Sequence, residues 1–136
     1  MGYVYADITL KNGSDVGNYI RGVIQEPDIR QVTVQAMVDT GAGTLIINEG
    51  LRQALGLIVM GEKEATLADR AVKMCKYTEP VEIYWGNRSS AVRAIVMEGA
   101  DEVLLGAIPL EEMDLIVDPA RQTLIGAHGD QAVVRI

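Results

Sequence analysis

Short apolar runs, each closed by glycine, asparagine, proline or aspartate, recur along this chain. None approaches the ~20 residues that span a bilayer. That punctuation favours short strands over long helices. "YVYADITLK" (3–11) alternates and then meets Asn12-Gly13, which reads as a turn after a first strand. "NYIRGVIQ" (18–25) reads as a second strand, ended by Glu26-Pro27-Asp28. "RQVTVQAMVD" (30–39) puts Val32, Val34, Ala36 and Val38 on one face and Thr33, Gln35 and Met37 on the other. "TLII" (44–47) is a short buried strand.

A helix is expected next. Asn48 is a good N-cap, Glu49 suits the first turn, Leu51, Ala54 and Leu55 share a face, and Gly56 is a stop. Residues 64–77 read as a hairpin turning near Ala68-Asp69-Arg70. "PVEIYWG" (80–86) and "SAVRAIVME" (90–98) flank a second turn at Gly86-Asn87. "EVLLG" (102–106) is a buried strand, and "IPLEEMD" (108–114) is a short helix with Pro109 near its first position. "LIVD" (115–118), "QTLIG" (122–126) and "AVVRI" (132–136) close the chain as strands. The sum is mostly β with one or two short helices, arranged as a barrel or sandwich. No Pro- or Gly/Ser-rich linker divides the 136 residues, so one domain over 1–136 is expected.

The net charge is −7 and no two basic residues are adjacent. Neither a nucleic acid nor an anionic membrane finds an electrostatic footprint here. Cys75 is the single cysteine, which excludes an internal disulfide and suits a reducing cytoplasm. The start "MGYVYADITLKNG" lacks the basic and apolar regions of a signal peptide, so a cytoplasmic location is expected.

Several chemistries lack their residues. His128 is the sole histidine and reads as a solvent-facing loop residue; Cys75 reads as a small strand filler. No His/Cys cluster has zinc spacing. Asp39 with Glu49, or Glu62 with Glu64, lacks the pattern of a calcium loop and reads as surface carboxylates. Gly41-Ala42-Gly43 has no lysine for a phosphate cradle. No metal and no cofactor is expected.

Asp39 remains. It closes an apolar, β-branched run, and Thr40 and Gly41 follow at once. Aspartate is a poor strand former but a good turn starter, so the turn either merely begins there or is built to hold the carboxylate. About sixty residues on, Leu104-Leu105-Gly106 leads into a short helix and "MDLIVDP".

In motif order over roughly residues 5–125, the chain resembles the retropepsin-like aspartic proteases, the single-domain relatives of retroviral protease and of each pepsin lobe. The segments that carry the resemblance are "AMVDTGAGTLII" and "VLLGAIPLEEMDLIVD". The resemblance implies a closed, barrel-like acid-protease domain with Asp39 as catalytic aspartate, supported by Thr40 and Gly41. It implies that Leu104-Leu105-Gly106 packs beside the catalytic loop and that the hairpin at about 64–77 is a flap over bound peptide. Ala42 and Gly43 would then border substrate at the cleft floor. Ala68, Asp69 and Arg70 would do so at the flap tip, where the two charges either steer charged peptides or are solvated turn residues.

One carboxylate cannot both activate water and protonate a leaving amine, whereas two that share a proton can. The chain has one Asp-Thr-Gly and no Asp-Ser-Gly. The resemblance therefore implies a homodimeric endopeptidase acting on peptide or protein substrates, its site on the two-fold axis. Thr40 would tie the two loops together there. Three departures from the viral branch point to a cellular member: Ala107 where viral enzymes carry arginine, a flap tip without glycine, and the helix at 48–55. The alternative is a non-catalytic peptide-binding module or an oligomerisation domain on the same fold; under any of these readings "YVYADITL" and "AVVRI" can pair between chains.

Overall fold

The computed structural model describes residues 3–134 and 136. In chain order it has β1 (Tyr5–Asn12), α1 (Gly13–Ile20), β2 (Gln31–Val38), β3 (Leu45–Ile47), α2 (Glu49–Ala54) and β4 (Val59–Thr66). Then come β5 (Val72–Trp85), β6 (Arg88–Val96), β7 (Val103–Leu105), α3 (Ala107–Glu112), β8 (Leu115–Asp118) and β9 (Thr123–Gly126). The main sheet runs β1-β2-β7-β3-β6-β5-β4, and β1 also pairs with β5. Six strands thus close into the expected barrel, and β4 extends beyond it on β5. β8 and β9 form a separate hairpin.

Alternation fills the barrel. Ile8 and Leu10 of β1, Ala36 of β2, Leu45 and Ile47 of β3, Val81 and Ile83 of β5, Ala94 of β6 and Leu105 of β7 are buried together. Each large aliphatic side chain removed from water there contributes about 1.5–3 kcal/mol. Cys75 is buried within β5, as a small filler should be.

The strand expected at 18–25 is not present: α1 runs through Ile20, and residues 21–24 follow in turns and bends. Asn12 is the reason. Its Oδ1 accepts the Asp15 N–H at 3.1 Å, so Asn12 caps a helix where it was read as a turn after a strand. Its Nδ2 donates to the Leu55 carbonyl at 2.9 Å, tying this cap to the end of α2. A side chain on Gly13 would meet the Pro80 carbonyl oxygen at 2.5 Å, so glycine lets α1 start flush against β5. Of the apolar residues behind the strand reading, Tyr19, Ile20 and Val23 are exposed and Ile24 is half-buried.

Other boundaries shift. The segments read separately as 64–77 and 80–86 share one strand, β5; Pro80 fits because the register with β6 shifts between Tyr77 and Pro80. Helix α2 is capped as expected, with Asn48 Oδ1 accepting the Leu51 N–H at 2.8 Å. Residues 132–134 form no strand, and Arg135 lies outside the described residues.

Candidate active site

β2 ends at the Asp39 turn. Val38 pairs with Leu105 in parallel register, and the Asp39 N–H extends that ladder to the Leu105 carbonyl at 3.0 Å. The chain then turns: the Ala42 N–H donates to the Asp39 carbonyl at 3.1 Å, and the Gly41 N–H to Asp39 Oδ1 at 2.9 Å. One carboxylate oxygen is therefore fixed by its own turn. The other has no hydrogen-bond partner among the described residues.

The turn is braced from the β7–α3 junction. The Ala107 N–H donates to the Ala42 carbonyl at 2.8 Å and the Ile108 N–H to the Gly43 carbonyl at 3.0 Å. Gly106 sits against Ala42 and Thr44 with no room for a side chain. Leu104-Leu105-Gly106 and the Asp39 loop are thus packed neighbours.

Half-buried Asp39 opens onto a cleft of about 1090 Å³. Its floor is one row of register partners on the face turned away from the core: Leu104 beside Ile46, and Ile46 beside Ile95. Met97 and Ile108 add to this apolar surface. Its other wall is the β4–β5 hairpin, residues Lys63 to Asp69. This hairpin turns through Ala68-Asp69-Arg70, closed by Arg70 N–H to Leu67 carbonyl at 2.9 Å and Leu67 N–H to Ala71 carbonyl at 2.8 Å. Asp69 Oδ1 accepts the Ala71 N–H at 2.9 Å.

Of the residues singled out in the sequence, Asp39, Gly41, Ala42, Gly43, Ala68 and Asp69 line this one cleft. Thr40 and Arg70 are exposed beside it and do not line it. The floor residues Ile46, Ile95 and Leu104 were not singled out as site residues. Their signal is alternation, since each neighbours a buried core residue in sequence and so faces the other way.

His128 is exposed, as expected, yet engaged: its Nδ1 lies 2.9 Å from both Asp114 carboxylate oxygens. That carboxylate also accepts the Val133 N–H at 3.1 Å, and the His128 ring beside it holds the Asp114 carboxyl below the usual range.

Residues 26–112 match the family described as "gag-polyprotein putative aspartyl protease". The chain belongs to this aspartyl protease family. The matched span of the aspartyl protease domain holds β2, the Asp39 turn, the whole β4–β5 hairpin and the β7–α3 junction. The crystal structure of a retropepsin-like aspartic protease from Rickettsia conorii shares the fold, with a TM-score of 0.51 and 19% identity. The alignment covers 86% of this chain and 77% of that one. No curated protein matches the sequence significantly. Among the described residues, no helix of this retropepsin-like chain is long and apolar enough to cross a membrane.

Proposed function

We propose that two copies of this chain form an aspartic endopeptidase, each giving Asp39 to a carboxylate pair. The observation that carries this reading is the Asp39 carboxylate itself. It lies at the floor of a cleft, with one oxygen held by the Gly41 N–H, facing a two-stranded flap. With one Asp-Thr-Gly per chain, the second carboxylate has to come from a second chain. Exposed Thr40, next in sequence, supports a contact between the two loops.

In the pair, like charges at close range keep one proton between the two groups, which titrate as a unit. The ionised carboxylate takes a proton from a water that attacks the scissile carbonyl. The shared proton then reaches the leaving amine. Gly41 orients its own chain's carboxylate through the backbone, with no side chain to crowd the water. β4 ends the sheet, so its outer edge carries unpaired backbone groups. An extended peptide adds there as a further strand, over the apolar row of Ile46, Ile95 and Leu104. Flap closure then excludes bulk water.

The test pairs the protein with Asp39→Asn in a diverse peptide mixture between about pH 4 and 7, where a dyad can hold one proton. Cleavage is read by mass spectrometry and assembly by sedimentation. Cuts made by a dimer and absent in a folded Asp39→Asn protein support the reading. Cuts retained in that variant overturn it.

A further inference from the structure

The row of register partners on the cleft floor continues one strand further, to Tyr77 of β5 opposite Ile95. Tyr77 pairs in turn with Gly61 of β4, where a Cβ would come within 2.9 Å of the ring. Glycine thus lets the ring lie flat under the base of the flap. Two cations converge on that ring: Lys63 Nζ lies 4.7 Å from its centroid and Arg93 Cζ 5.7 Å. Lys63 lines the cleft. Arg93 stands two residues before Ile95 on β6 and so shares its face. Neither makes an ion pair among the described residues, although the chain has 19 acidic residues and only 12 basic ones. Three acids share the cleft: Asp39 and Asp69 each have a carboxylate oxygen bonded within their own turns, and Glu64 makes no ion pair with either cation among the described residues.

We infer that Lys63 and Arg93, held around Tyr77, form a basic subsite that selects an acidic side chain in the bound peptide. This rests on the peptidase reading above. Stacking on the ring orders both cations before substrate arrives, so a carboxylate meets a preformed pair of donors. Lys63 and Ala68 are five positions apart along the flap, ~16 Å at ~3.3 Å per residue. A peptide paired to β4 with its scissile bond under the flap tip reaches Lys63 about four or five residues from that bond. A two-fold dimer presents the subsite at both ends of the cleft.

The experiment uses fluorogenic peptides identical except for glutamate or glutamine at that distance from the cut. Cleavage is measured with the native protein, and binding of uncut peptide with Asp39→Asn by anisotropy. The glutamate peptide is expected to show roughly three- to tenfold higher kcat/KM and tighter binding, a ratio that shrinks in high salt. Lys63→Glu combined with Arg93→Glu is expected to invert the ratio. Cleavage with equal rates for both peptides, or a ratio unmoved in the double variant, overturns the subsite and leaves the peptidase intact. Acid-selective binding without any cleavage supports the subsite and ends the peptidase reading. Neither cleavage nor binding overturns both.

Discussion

A Cβ on Gly106 would lie 2.3 Å from the Thr44 carbonyl oxygen and 2.6 Å from that of Ala42. Both are backbone atoms, so no rotamer change relieves the clash. Gly106→Ala is therefore expected to cost about 2–3 kcal/mol, within the range of overpacked sites. It should also push the Asp39 loop off the Ala107 and Ile108 amides, so peptide cleavage should fall further than the loss of folded protein explains. Denaturant unfolding and kcat/KM on the same samples separate the two effects. Wild-type stability in this variant would mean that the loop yields freely and does not brace Asp39.

Arg70 occupies a left-handed position, φ 68°, as the last residue of the three-residue turn of the β4–β5 hairpin. That turn type normally places glycine there. An L-residue in this region costs about 1–2 kcal/mol, partly offset because glycine loses more freedom on folding. Arg70→Gly should raise stability by about 0.5–1 kcal/mol and slow amide exchange at Leu67, whose N–H closes the turn. Faster exchange would show that Arg70 holds the hairpin turn by contacts of its own.

These two positions also mark what the sequence reveals and what it hides. β2, β7 and the Asp39 turn were legible because alternation, a carboxylate after an apolar run and an obligatory glycine are local signals. Ala68-Asp69-Arg70 was legible as a turn from its polarity. Helix α1 was not. Asn12-Gly13 resembles a turn after a strand until Asn12 is seen bonding to Leu55, 43 residues away, and Asp15 to Arg30. The cleft floor was hidden for a related reason. Leu104, Ile46, Ile95 and Tyr77 become a row only through parallel and antiparallel registers that no single segment encodes.

Asp15 and Arg30 form a two-pronged pair, Nε to Oδ2 at 2.8 Å and Nη2 to Oδ1 at 2.9 Å, that pins α1 to the approach of β2. The Arg30 hydrogen bonds hold the Asp15 carboxyl below its ordinary value of 3.8. A carboxyl lowered by folding contributes stability that is fully present above the unfolded value and is lost as pH falls through the folded one. Asp15→Asn should therefore destabilise by about 1–3 kcal/mol at neutral pH, with the gap narrowing as pH drops below that of a free aspartate. Unfolding curves for both proteins across acid pH check this. A gap that stays constant with pH would assign the loss to packing and not to charge.

Arg88 is buried at 4% exposure at the start of β6, where lysine would look equivalent on sequence grounds. Its Nη1 donates to the Met113 carbonyl at 3.0 Å and the Asp114 carbonyl at 2.7 Å, and its Nη2 to the Gly129 carbonyl. Met113 caps the C-terminus of α3, so its carbonyl needs a partner from outside the helix. A cation there also complements the helix dipole. The planar fork serves the end of α3 and the loop after β9 at once, which a single ammonium on a flexible stem cannot. Arg88→Lys is expected to cost about 2–3 kcal/mol, because at least one buried carbonyl loses its donor. It should also speed amide exchange at Ala127, whose N–H bonds to the Asp114 carbonyl at 2.8 Å. Denaturant midpoints and exchange at that amide read both effects. A lysine variant with native stability would mean that the fork is dispensable and that the β8–β9 hairpin is held by its own ladder.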